Sequence, residues 1–467
     1  MKLNELTIKE ARKGLKDGKF TSVELTRACL DQIEKYDNKI KAFIVVIGDL
    51  ALEEAKNADV LIAKGVDKPL LGIPYTVKDI FSTKNIQTTA ASNILKGYKP
   101  PFESTVTQRL RGAGAILLAK DNLDAFSHGG STETSDFFTT RNPWDIERLP
   151  GGSSGGSAAS LAADMSIFSI GEDTGGSIRC PASWCGVSGL KPTYGRVSRY
   201  GVISMASSTD SPGPFCKTAE DIDILMKVIA GKDYLDATSS PSLYKNLDLK
   251  YSLKGVKIGK PRSFFDKEID REVIEAVETA LKKFEELGAE IIDIELLSPN
   301  YSLATYTIVQ RAEVSSNLAR FDGIRYGNTR DEFGFEARKR MILGAYVLSA
   351  GYYDAYYSKA QKVRSLVIND FKKAFEKVNL IVGPTLPTTA QKIGAIKSSP
   401  FWGELIDRLQ LPASMSGICS LALPCGFVNG LPVGMQIMGN YFEEGKVLSV
   451  AHIYQKNTNF HKRKPKL

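Results

Sequence analysis

The sequence predicts an α/β fold, and three observations carry that expectation. Helix-like and strand-like patterns alternate along the chain, the strand-like segments are short apolar groups, and 43% hydrophobic against 24% charged residues is an ordinary balance for a packed protein. Such alternation places helices over a buried sheet. At 467 residues the chain is long enough for two or three ordinary domains or for one large enzyme fold.

Taken in order, Thr21 and Glu24 stand in capping-box spacing and Leu25, Cys29 and Ile33 follow at helical intervals, which predicts a helix. "PLLGIPYTVKDI", Pro69 to Ile80, carries two apolar groups around a Gly-Ile-Pro break and reads as a buried strand leading to Lys78. "AGAILLAKDNLD" reads as another strand, "GVKIGKP" as a third, and "VNLIVGPTLP" as a buried strand closed by prolines. "REVIEAVETALKKFEELG" is amphipathic and ends at Gly288, so it reads as a helix. Pro241 to Leu253 is the best linker candidate but is short, and the chain has neither internal repeat nor low-complexity tract. A single domain over residues 1–467 is therefore expected.

Composition narrows the function classes. The polar N-terminus and the absence of a run of ~18 apolar residues speak against secretion and a membrane span, so a cytoplasmic protein, or an organelle form without its transit peptide, is expected. Six cysteines without a C-x-x-C pair point to reduced thiols rather than to zinc or a disulfide framework, and no metal site is expected. The net charge of +8 lies partly in the tail "HKRKPKL" and favours a solvated terminus over a nucleic-acid arm.

Two glycine-serine runs stand out: "LPGGSSGGS" from Leu149 and "GEDTGGSIR" from Gly171. Glycine costs backbone entropy on folding, so such runs mark sharp bends or close approach of backbone to a ligand. A phosphate-binding loop fails, because neither run ends in Gly-Lys-Ser/Thr. The G-x-S-x-G within "GGSSGG" would suit a hydrolase elbow with His452 downstream, but that elbow needs a strand running into it and "TRNPWDIERLP" reads as a loop. An S-x-x-K match at Ser242 to Lys245 lies in the linker candidate and lacks its companion motifs.

An activated serine needs a base, and of the three histidines only His128 neighbours these runs in sequence. A lysine serves if burial keeps it unprotonated. Lys78 either fills that role or pairs with Asp79 at the surface. In "DTGGSIR" the amides of Thr174, Gly175, Gly176 and Ser177 can converge as an oxyanion nest or form a plain tight turn, with Asp173 and Arg179 available to brace it by an ion pair.

Together, "GIPYTVKDIF", "DNLDAFSHGGSTETSDFFTTRNPWD", "LPGGSSGGSAASLAAD", "GEDTGGSIRCPASWCGVSGLKPTYGRVSRYGV" and "TDSPGPF" resemble the amidase signature family, whose core would span about residues 60–220. The later stretches "SSNLARFDGIRYG", "LGAYVLSAGYYDAYYSKAQKVR" and "VGPTLPTTA" resemble the branch that serves as A subunits of glutamine-dependent aspartyl/glutamyl-tRNA amidotransferases. The resemblance implies a large mixed β-sheet between helices and a Ser-cisSer-Lys triad of Ser177, Ser153 and Lys78, with Thr174, Gly175 and Gly176 as oxyanion hole. It also implies that Arg340 binds the glutamine carboxylate, Asp407 its ammonium, and that Tyr306 contacts the substrate. The ammonia would pass to a B subunit that uses ATP and magnesium on charged tRNA, a C subunit would complete a heterotrimer, and this chain itself would hold no cofactor. A free-standing amidase of a small carboxamide is the alternative. His128 where methionine is expected, Cys180 for glutamine, Ser211 within "TDSPGP", and a short 327–335 segment depart from the pattern.

Overall fold

The computed structural model describes residues 2–324 and 327–467, so the "SSNLARFDGIRYG" stretch falls partly outside the described residues. Thr21 caps the helix Ser22–Ile40: its hydroxyl accepts from the Glu24 amide while the Glu24 carboxylate accepts from the Thr21 amide. Leu25, Cys29 and Ile33 line the buried face of that helix, as their spacing predicts.

Among the described residues one mixed sheet organises the molecule. Its strands are β1 (Phe43–Val46), β2 (Pro74–Lys78), β3 (Ile116–Asp121), β4 (Phe168–Asp173), β5 (Ser188–Lys191), β6 (Ser211–Cys216), β7 (Lys257–Pro261), β8 (Glu290–Ile294), β9 (Leu380–Pro384), β10 (Cys419–Val428) and β11 (Leu431–Gly439). They lie in the order β1-β3-β2-β4-β6-β5-β10-β11-β9-β7-β8. β2, β3, β7 and β9 fall within the segments the sequence marks as strands, and helix Arg271–Glu286 within the one it marks as amphipathic. Every residue of β2, β3 and β4 is buried, which explains why β2 and β3 read as apolar groups rather than as alternating patterns.

The register of three strands places the site. β2 runs parallel to both β3 and β4, with Val77 opposite Ile170, so Lys78 at the end of β2 comes level with the last residues of β4. β4 in turn pairs antiparallel with β6, Asp173 opposite Ser211, so the turn after β4 meets the residues just before β6. The linker candidate Pro241–Leu253 has no regular structure but is tied down: Tyr244 Oη donates to Asp223 at 2.8 Å and the Asp248 amide to Ser449 Oγ at 2.8 Å. No helix among the described residues is long and apolar enough to cross a membrane.

Candidate active site

Lys78 is fully buried, and its Nζ lies 2.7 Å from Ser153 Oγ. The surface pairing with Asp79 does not occur: Asp79 faces Lys120 at 3.1 Å, and both are buried. Burial pushes the Lys78 amine below the ordinary lysine range, while the Glu172 carboxylate, 3.3 Å away, pulls the other way.

Ser153 follows a cis peptide bond at Gly152–Ser153, and its carbonyl accepts from the Asp124 amide at 3.3 Å. A Cβ on Gly152 would lie 2.2 Å from Asp124 Oδ2, so only glycine fits. Ser177 joins this segment through its carbonyl, which accepts from the Ser154 amide at 3.2 Å. The two glycine runs, about twenty residues apart in sequence, are thereby hydrogen-bonded to each other.

The second run is braced from behind. Asp173 grips Arg179 with both oxygens, Nε to Oδ2 and Nη2 to Oδ1 each at 3.0 Å, and also accepts from the Ile178 amide at 3.1 Å. All of this is buried, and the ion pair holds the Asp173 carboxyl below its usual range against the cost of burial. With those groups spent on the brace, the amides of Thr174, Gly175, Gly176 and Ser177 donate to nothing among the described residues. They remain available for an oxyanion.

Tyr306 and Asp407 sit over that turn. A Cβ on Gly175 would lie 2.8 Å from the Tyr306 hydroxyl, and one on Gly176 would lie 2.8 Å from Gln410 Nε2, which donates to Asp407 Oδ1 at 3.1 Å. Burial, then repulsion from Asp173, pushes the Asp407 carboxyl well above the carboxylate range, so a cation brought to it would restore its charge. Arg340 is buried on the helix Phe335–Leu348, paired with Glu336 at 2.8 Å and Glu404 at 3.7 Å. It lines a cavity of about 630 Å³ with His128, Trp402 and Glu404 that does not reach Ser153 or Ser177. Another cavity, about 650 Å³ between Ile94, Tyr200 and Phe321, contains none of the expected site residues.

Reading the sequence missed two carboxyl groups. Glu172 contacts Lys78 directly, and Thr174 Oγ1 lies 2.6 Å from Glu172 Oε1 and 2.8 Å from Asp210 Oδ1. Glu172 lay in plain view in "GEDTGGSIR", next to the motif residues, whereas nothing local to Asp210 signals its place. Of the departures, His128 is buried with neither ring nitrogen hydrogen-bonded, and burial followed by Arg340, Arg311 and Lys339 keeps it neutral. Cys180 is buried and its thiol pushed up, while Ser211 opens β6. The six cysteines are free and buried. The 327–335 segment holds a short 3-10 turn, Arg330–Glu332. Among the described residues no cluster of His, Cys, Asp or Glu has metal-binding geometry.

A buried lysine against a serine, beside a second serine on a turn with unspent amides, is the arrangement of an amide-cleaving enzyme, and the family comparison agrees: the amidase model matches residues 24–448, and the chain belongs to the amidase family. It is 48% identical to the A subunit of glutamyl-tRNA(Gln) amidotransferase from Caldanaerobacter subterraneus subsp. tengcongensis, over 98% of either chain. To the corresponding protein of Carboxydothermus hydrogenoformans it is 47% identical over 100% of both. Among solved structures, the glutamyl-tRNA(Gln) amidotransferase A subunit of Thermotoga maritima matches with a TM-score of 0.82 and 39% identity, over 98% of this chain and 95% of that one.

Proposed function

We propose that this chain is the glutamine-hydrolysing A subunit of a tRNA-dependent amidotransferase, with Lys78, Ser153 and Ser177 as its catalytic groups. The observation that carries the reading is the 2.7 Å contact between two fully buried side chains, Lys78 and Ser153. Ser177 Oγ attacks the side-chain carbonyl carbon of glutamine, its proton passes to Ser153 Oγ, and the Ser153 proton passes to the neutral Lys78 amine. The oxyanion that forms is met by the amides of Thr174, Gly175 and Gly176; one such donor is worth about 3 to 4 kcal/mol. The C–N bond breaks as the relay returns a proton to the departing nitrogen, giving ammonia and an ester on Ser177. Water then adds by the same relay and releases glutamate.

Selectivity for glutamine rests on a charge of each sign: Arg340 for the α-carboxylate, Asp407 for the α-ammonium, with Tyr306 against the substrate. The ammonia serves Glu-tRNA(Gln), Asp-tRNA(Asn) or both on a B subunit that supplies ATP and magnesium chemistry, with a C subunit bracing the pair in the cytoplasm. The test is glutamate release from glutamine by the purified chain alone, and with its B and C partners, ATP and charged tRNA, beside Ser177→Ala. Release that rises in the complex and falls by at least about a thousandfold in the variant is expected. Release indifferent to Ser177 would overturn the assignment.

A further inference from the structure

A hydroxyl carries one proton, yet Thr174 Oγ1 stands between two carboxyl oxygens, 2.6 Å from Glu172 Oε1 and 2.8 Å from Asp210 Oδ1. Both contacts are hydrogen bonds only if one of the two carboxyl groups holds a proton and donates it to Thr174 while the other accepts. Thr174, Glu172 and Asp210 are all buried, so no solvent supplies an alternative partner. The other oxygen of Glu172 faces Lys78 Nζ at 3.3 Å.

We propose that Glu172, Thr174 and Asp210 form a proton relay that moves one negative charge toward and away from Lys78 during the reaction. The proposal rests on reading Lys78 as the base. A fixed carboxylate at 3.3 Å would hold the lysine protonated and useless as a base, whereas a site without one would leave the ammonium formed during catalysis uncompensated. Relaying a proton meets both demands.

While Lys78 is neutral, the shared proton sits on Glu172 Oε1 and donates to Thr174 Oγ1, whose own O–H donates to Asp210 Oδ1. The negative charge then rests on Asp210, where the amides of Ala206 and Met205 donate to it, each at 3.0 Å. When Lys78 takes the proton of Ser153, the Glu172 O–H bond breaks and a new bond forms to Thr174 Oγ1. The original Thr174 O–H breaks in the same motion, and its proton bonds to Asp210 Oδ1. One proton has moved from Glu172 to Asp210, the charge summed over the three groups is unchanged, and Lys78 now faces an anion. Return of its proton to the leaving nitrogen resets the chain.

The other charges around these groups leave the relay isolated. Asp124, which also faces Lys78, is engaged by the Ser131 amide at 3.0 Å and Thr134 Oγ1 at 2.9 Å. Asp79 is taken by Lys120. Burial, then repulsion from Glu172, pushes the Asp210 carboxyl well above the carboxylate range while Arg199 pulls the other way, so Asp210 can take up the relayed proton, and Tyr306 is the further titratable group within reach of Glu172. The side chains of Glu172, Thr174 and Asp210 are positioning groups, since they act on the substrate through Lys78, whereas the Thr174 amide belongs to the oxyanion hole.

The experiment is kcat/KM for glutamine against pH in the assembled enzyme, for Thr174→Val, Thr174→Ser and Glu172→Gln beside the parent. Thr174→Val cuts the relay, so the acidic limb of the profile should move up by about one pH unit, with a roughly tenfold loss near neutrality. Thr174→Ser keeps the hydroxyl and should restore the parent limb, and Glu172→Gln removes the anion and should move the limb down. A Thr174→Val limb lying on the parent's, or a serine variant as impaired as the valine one, would overturn the relay. Lys78→Ala run in parallel separates the two readings: activity surviving there removes the base itself, whereas activity lost there with unshifted Thr174→Val and Glu172→Gln limbs removes the relay alone.

Discussion

Arg340 shows how burial decides what a side chain does. Long arginine side chains are seldom buried without partners, and this one is held by Glu336 and Glu404 at the wall of a cavity. Such a guanidinium is pre-aimed and recruits a carboxylate at little further cost in side-chain ordering. Arg340→Ala is expected to raise KM for glutamine by roughly 10- to 100-fold, the worth of about 1.5 to 3 kcal/mol for a charged hydrogen bond, with kcat changed far less. An unchanged KM alongside cleavage of other carboxamides would move the protein to the free-standing amidases. At this scale the residues alone left Lys78 between a base and a surface partner of Asp79, and only the family resemblance set it beside Ser153, the contact that the structure holds at 2.7 Å. Glu172 stood beside the second run with no role assigned to it and Asp210 carried no local signal, because nothing along the chain says that a single hydroxyl will stand between them.

At the scale of elements, β3 carries a buried charge problem of its own. The carboxyl of Asp121 accepts from Ser157 and Ser169 hydroxyls on one oxygen, each at 2.7 Å, while the other oxygen has no partner. Burial pushes this carboxyl up to about 7, so the folded state prefers it protonated. Because the folded value lies above the unfolded one of about 3.9, its contribution to stability is full below about pH 4 and is lost as the pH rises through the folded value. Urea midpoints at about pH 5 and pH 8, on either side of the folded value, should therefore differ more in the parent than in Asp121→Asn. Equal pH dependence in the two would show that Asp121 does not titrate in this way. Helix Ser22–Ile40 makes the contrasting case, since its capping box and buried stripe are set by close neighbours along the chain and were readable in advance.

Among the described residues one sheet and one main apolar cluster, reaching from Ile8 to Tyr454, span the molecule, while a small second cluster gathers around Trp184 and Trp402. The chain from Pro241 to Leu253 that reads as a linker is hydrogen-bonded to helices on either side of it in sequence, Ala219–Ile229 and Glu444–Lys456. We therefore read residues 1–467 as one domain. Far-UV and near-UV circular dichroism and tryptophan fluorescence should give coincident denaturant transitions. Separated transitions, or limited proteolysis within 241–253 that releases two stable fragments, would divide it.

By itself the sequence determined the α/β class, several of its strands, the family, and the residues of the two glycine runs, because periodicity, capping and motif spacing are properties of neighbours along a chain. Only the tertiary structure decided which carboxyl groups those residues would meet. Parallel pairing of β2 with β4, Val77 opposite Ile170, brings Lys78 within reach of Glu172, and antiparallel pairing of β4 with β6 brings Asp210 to Thr174. Both meetings follow from strand register, which is fixed by burial across the sheet rather than by any local run of residues.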